Sequence, residues 1–164
     1  MRAAEVMTRN VAVVRPDAMV REAACLMDDL NVGALPVCDG HRLVGIVTDR
    51  DITVRATAAG MRPDATPVHV VMTDAVCWCF EDDPVEDIER EMARRQIRRL
   101  PVLDADKRLC GMLSLGDLAA DQAPGTAETL RSVSTPAEPV RTARRRHTPD
   151  ASQTPWPPYG ESQS

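Results

Sequence analysis

Leu35-Pro36-Val37-x-Asp39 recurs 65 residues later as Leu100-Pro101-Val102-x-Asp104, and this recurrence decides the architecture. Working outward, the same offset carries Val6-Met7-Thr8 onto Val71-Met72-Thr73, Asp17 onto Asp82, Val20 onto Val85 and Met27 onto Met92. One added residue in the turn near Ala105-Asp106 raises the offset to 66. Beyond it, Leu43-Val44-Gly45 meets Leu109-Cys110-Gly111, and Asp51 meets Asp117. A register this sustained, broken once inside a turn, marks two copies of one unit.

Each copy reads the same way. Val11-Ala12-Val13-Val14 and Val76-Cys77-Trp78-Cys79 are β-rich runs followed by Asp-containing turns. Helices are predicted over Val20 to Leu30 and Val85 to Arg95, from apolar residues at helical spacing such as Val20, Ala23, Ala24, Met27 and Leu30. Two short strands follow in each copy, Ala34 to Cys38 with Leu43 to Thr48, and Leu100 to Leu103 with Leu109 to Leu113. A second helix is predicted from Asp51 and from near Asp117. The expected fold is mixed α/β (α+β): two tandem β-α-β-β-α repeats, residues 1–60 and 61–121. Copies this small bury little core alone, so they are expected to pack on each other pseudo-symmetrically.

Residues 122–164 differ in character. From residue 121 onward lie seven of the thirteen prolines, with Ser, Thr and Ala and no sustained period, which predicts a disordered tail. Arg144-Arg145-Arg146 and Thr154-Pro155-Trp156-Pro157-Pro158-Tyr159 are read as parts of that solvated tail.

Composition excludes several classes. At 43% hydrophobic and 27% charged residues the chain has a soluble globular composition, with an aliphatic core because aromatics are only 2%. No apolar run approaches a membrane span, and charges near Met1 do not suit a signal peptide, so the expected location is cytoplasmic. A net charge of −5 argues against nucleic acid as a partner. Five scattered cysteines fit a reducing compartment, not a disulfide framework.

The repeated Val-Met-Thr, Leu-Pro-Val-x-Asp and Gly-x-x-[Thr/Ser]-x-x-Asp motifs carry a resemblance. Over residues 1 to about 120 the chain resembles the CBS domain family (named for cystathionine β-synthase) in its tandem arrangement, the Bateman module. Gly45-Ile46-Val47-Thr48-Asp49-Arg50-Asp51 resembles small stand-alone bacterial CBS-pair proteins in particular. The resemblance implies a non-catalytic regulatory module that binds an adenosyl ligand (AMP, ADP, ATP or S-adenosylmethionine) in clefts between the copies. It also implies a homodimer acting through a regulated protein partner.

The residues suit that chemistry. An ionised carboxylate such as Asp51 or Asp117 is acceptor-only and can take both hydroxyls of a ribose. The hydroxyls of Thr48 and Ser114, at the expected helix starts, suit a phosphate oxygen. Arg50, Arg98 and Arg99 are further phosphate candidates, and Gly45 and Gly111 allow close backbone approach. Thr48 with Asp51, and Ser114 with Asp117, also fit helix capping, although a capping box favours the longer Glu or Gln. Arg98 and Arg99 equally fit a solvated helix end. Trp78 and Phe80 are the only aromatics in the repeats for an adenine to meet.

Cys77-Trp78-Cys79 lacks zinc-site spacing, and copy one has Ala12 and Val14 at the two cysteine positions, so core packing is the expected role. No motif of catalysis is present, and neither a metal nor a covalent cofactor is expected. Two other functions stay open: a ligand-free dimerisation or interaction module, and a cysteine-based redox-responsive protein.

Overall fold

The computed structural model describes residues 1–120 and 126–134. Its elements are α1 (Ala3–Val6), β1 (Thr8–Arg9), α2 (Val20–Leu30), β2 (Ala34–Asp39), β3 (Arg42–Thr48) and α3 (Asp49–Asp51), which runs into a π-helical stretch at Ile52–Thr57. Then come α4 (Val68–Val71), β4 (Cys79–Phe80), α5 (Val85–Arg95), β5 (Arg99–Leu103), β6 (Leu109–Ser114), α6 (Leu115–Ala120) and α7 (Thr126–Ser134). They belong to two compact units. The first comprises Asn10–Val76 with Lys107–Leu109; the second comprises Met1–Arg9, Cys77–Asp106 and the described residues from Cys110 onward.

In the first unit, α2 buries Val20, Ala23 and Met27, one stripe of an amphipathic helix. Asn31 stops it in the left-handed conformation (φ 51°), with its own N–H and that of Val32 turned back onto the carbonyls of Asp28 and Met27. β2 and β3 form an antiparallel pair from Ala34↔Thr48 to Asp39↔Arg42. The stripe of α2 meets Leu35, Val37 and Val47 in one buried cluster, joined by Val68 and Val71 of α4. The second unit repeats this logic. Val85, Ile88 and Met92 of α5 are buried, and Gln96 takes the place of Asn31 at φ 54°. Its sheet has the order β1-β6-β5-β4, with β4 parallel to β5 and β1 antiparallel to β6.

Packing and repeat period divide the chain differently. Residues 66–73, which sequence similarity assigns to the second copy, fold with the first: Val68 N donates to Ala18 O (2.8 Å) and Thr73 exchanges two 2.9 Å bonds with Ile46. Residues 1–9 fold with the second copy: Ala3 N donates to Asp83 O (3.0 Å), and Thr8 and Arg9 pair with Met112 and Gly111. Each repeat therefore receives its Val-Met-Thr segment from the residues that precede the other repeat.

Three sequence expectations need correction. The runs Val11–Val14 and Val76–Cys79 are not full strands; Val14 makes a single parallel bridge to Val37, and only Cys79 and Phe80 pair with β5. The second helices begin at Asp49 and Leu115, because Thr48 and Ser114 stand before them and Asp51 and Asp117 lie inside. The tail is not structureless throughout. Thr126–Ser134 is helical and packs on α5 and α6, Val133 joins the buried cluster of the second unit, and Ser132 Oγ donates to Ala93 O at 3.3 Å. The Arg144-Arg145-Arg146 and Thr154–Tyr159 motifs lie outside the described residues.

Candidate functional site

Each Gly-x-x-[Thr/Ser]-x-x-Asp motif ends a strand and starts a helix, and the two ends of the motif hold each other. Thr48 is extended (φ −118°, ψ 161°), so its side chain turns toward the first helical turn. Asp51 N donates to Thr48 Oγ1 at 3.0 Å, and Thr48 N donates to Asp51 Oδ2 at 2.9 Å. Asp117 N donates to Ser114 Oγ at 3.2 Å, while Ser114 N and Oγ donate to Asp117 Oδ2 at 2.8 and 2.7 Å. These are reciprocal caps. Aspartate reaches because the carboxylate only has to span one turn back to the residue before the helix.

The cap uses one carboxylate oxygen and leaves the other. Asp51 Oδ1 lies 3.6 Å from Arg55, one helical turn on, and the two side chains are only 15% and 20% exposed. Arg55 is anchored in turn, donating through Nη1 to the carbonyls of Val71 (2.7 Å) and Met72 (3.0 Å). Asp117 Oδ1 receives one long bond, 3.5 Å, from Thr8 Oγ1. Neither Arg55 nor Thr8 stood out in the sequence. The i,i+4 spacing of Asp51 and Arg55 and the recurrence of the Val-Met-Thr segment were the available signals.

Gly45 and Gly111 serve the fold at this junction. A Cβ on Gly45 would lie 2.5 Å from Met72 Sδ and 3.0 Å from Thr73 O; on Gly111 it would lie 2.6 Å from Met7 Sδ and 2.9 Å from Thr8 O. What approaches these glycines is a Val-Met-Thr segment. Arg50 is exposed beside Thr48, and Arg98 and Arg99 are exposed beside Ser114, where Leu115 N donates to Arg98 O at 3.0 Å. An open groove of about 500 Å³ on the first unit is lined by Val13, Val14, Ala18, Cys25 and Leu26, and its lining includes neither Thr48 nor Asp51.

The geometry around the motifs accompanies a clear kinship. The CBS domain family matches twice in tandem, over residues 3–56 and 68–122, and the two matches together cover most of the chain. The chain belongs to the CBS domain family. The CBS domain-containing protein YhcV of Bacillus subtilis is 45% identical over 118 residues, which is 72% of this chain and 83% of YhcV. Among solved structures, CBSX2 in complex with AMP is 29% identical with a TM-score of 0.64, covering 74% of this chain and 95% of that one. The CBS domain pair of protein MJ0100, in complex with 5′-methylthioadenosine and S-adenosyl-L-methionine, is 25% identical with a TM-score of 0.67 over 74% and 95% of the two chains.

In this CBS pair Cys38, Cys77, Cys79 and Cys110 stand where the other copy has Leu103, Ala12, Val14 and Val44, whereas Cys25 is exposed. Cys79 is fully buried, and burial with Asp83, Cys77 and Cys110 nearby pushes its thiol well up. Burial also raises Cys38, and raises Cys110 to about 11, whose Sγ donates to Val102 O at 3.3 Å. Cys79 pairs with Val102 on one side of β5 and β6 lies on its other side. Two inter-strand steps place the backbones of Cys79 and Cys110 roughly 9–10 Å apart, beyond the reach of a disulfide. Trp78 and Phe80 stack edge to face at 5.0 Å. Among the described residues no group of three or more His, Cys, Asp or Glu is placed to hold a metal ion, and no helix is long and apolar enough to cross a membrane.

Proposed function

We propose that this CBS pair is a non-catalytic regulatory module that binds an adenosyl ligand, AMP, ADP, ATP or S-adenosylmethionine, at its two Gly-x-x-[Thr/Ser]-x-x-Asp junctions. Asp51 and Asp117 accept the ribose hydroxyls. Thr48 and Ser114 lie toward the phosphate or its replacement, and Arg50, Arg98 and Arg99 supply positive charge around it. The observation that supports this most is the division of labour within each carboxylate. Oδ2 is fixed by the cap, while Oδ1 makes a 3.6 Å ion pair with Arg55 in Asp51 and accepts a 3.5 Å bond from Thr8 in Asp117, so each carboxylate keeps an oriented, partly buried and only loosely engaged acceptor. The AMP and S-adenosylmethionine complexes of two related CBS pairs favour the same chemistry.

The module acts by favouring one arrangement of a homodimer or of a partner complex when ligand is bound. Titration calorimetry with AMP and with S-adenosylmethionine tests this on the wild type, Asp51→Asn and Asp117→Asn. Each Asn keeps an acceptor for the cap and removes the charge that strengthens the ribose bonds, so each variant is expected to bind at least about tenfold more weakly at its own site. Full-strength binding by the double variant would reject the site.

A second reading rests on a separate observation. Leu30, Val32 and Val54 are 47%, 39% and 53% exposed on the first unit. Exposed aliphatics of this size favour an association surface, and in that reading the module assembles without ligand.

A further inference from the structure

The second oxygen of each carboxylate is linked to a Val-Met-Thr segment, directly in one unit and through an arginine in the other. In the second unit, Thr8 of Val6-Met7-Thr8 reaches Asp117 Oδ1 directly at 3.5 Å. In the first unit, Arg55 lies between: it is 3.6 Å from Asp51 Oδ1 and holds the carbonyls of Val71 and Met72, in Val71-Met72-Thr73. Two chemically unlike routes thus connect equivalent oxygens to equivalent segments. Both segments also lie one to three residues before the chain leaves one compact unit for the other, after Arg9 and after Val76.

Resting on the reading of Asp51 and Asp117 as ribose acceptors, we propose that the two Val-Met-Thr segments report ligand occupancy. A ribose hydroxyl arriving at Asp117 Oδ1 competes with Thr8, whose bond is at the outer limit of hydrogen-bond length and is readily given up. Arriving at Asp51 Oδ1, it shares the carboxylate with Arg55, so occupancy changes how firmly the Val71 and Met72 carbonyls are held. Arg55 is therefore a positioning residue acting through Asp51, and Thr8 is the corresponding contact in the other unit. Neighbouring bonds define what moves: Thr73 with Ile46, and Thr8 and Arg9 with Met112 and Gly111.

Hydrogen exchange of the full chain, read by mass spectrometry with and without AMP or S-adenosylmethionine, tests the proposal. Calorimetry on the same samples establishes binding. Residues 1–9 and 68–76 are expected to change exchange rate by at least about fivefold on binding, the lower end of ordinary coupling between sites. Thr8→Val, an exposed and nearly isosteric change, should abolish the ligand-induced change in residues 1–9 and leave that in 68–76. Arg55→Lys should diminish the response of 68–76 alone. A merely structural role would alter exchange without ligand and leave the ligand-induced difference intact. Binding with no change in either segment, or a full response of residues 1–9 in Thr8→Val, overturns the proposal by itself. Binding of neither probe overturns the ligand reading and this inference with it.

Discussion

Met7 occupies the space that any side chain at position 111 would need: a Cβ on Gly111 would stand 2.6 Å from its sulfur. Met72 stands in the same relation to Gly45 at 2.5 Å. Thioether ends can shift, but the carbonyls of Thr8 and Thr73, at 2.9 and 3.0 Å, belong to paired backbone and cannot do so cheaply. Gly45→Ala and Gly111→Ala are each expected to lower stability by about 1–3 kcal/mol, as overpacking does. Urea denaturation checks this, and midpoints within error of wild type would contradict it.

Helix α7 gives a second expectation. Val133 is 7% exposed and shares a buried cluster with Ile88 and Met92. Ending the chain at residue 125 removes that side chain, whose burial contributes on the order of 1.5–3 kcal/mol. The truncated chain should melt several degrees lower, and Val133→Asp in the full chain should do the same. Unchanged melting of both would show that α7 adds nothing to the second unit.

Cysteine reactivity should follow burial. Cys25 is exposed, Cys38 and Cys79 are buried, and the Cys110 thiol is raised to about 11. Only the thiolate attacks alkylating reagents. Iodoacetamide near neutral pH should therefore label Cys25 first and leave Cys79 and Cys38 intact until the chain unfolds. Rapid native labelling of Cys79 would revive a redox role.

The pH dependence has a defined contributor in Glu91. Its carboxylate receives hydrogen bonds from Arg94 and Arg95, and these hold its pKa below the ordinary 4.5 despite opposing burial. A lowered folded pKa means that the unfolded chain binds the proton first as pH falls. The contribution is then complete above the unfolded value and disappears as pH drops through the folded one. Glu91→Gln should lower stability near neutral pH and flatten its decline below about pH 4.5, the ordinary carboxylate range. Denaturation midpoints at a series of pH values would show it.

The parts of the fold legible in the sequence were those set by local periodicity. Val20, Ala23 and Met27 mark α2, and Val85, Ile88 and Met92 mark α5, so both helices were bounded correctly. The first strands were overdrawn because Val11–Val14 has β-rich composition and yet only Val14 finds a ladder partner. Helix α7 was hidden because its nine residues are mostly polar and follow a Gly-Pro-containing stretch, so Val133 alone anchors it in the described core. At the candidate site, the reciprocal caps of Thr48 with Asp51 and of Ser114 with Asp117 were readable from spacing. Arg55 and Thr8 were not, because repetition tells which residues are alike and not which ones touch.

The exchange of leading segments has a consequence for how such a chain can be divided. Residues 1–60 alone would carry an arm shaped for the other repeat and lack residues 66–73, which complete their own sheet. A lone repeat could regain an arm only from a second molecule, each lending its leading residues to the other. The tandem chain is then the covalent form of a swapped dimer of single repeats.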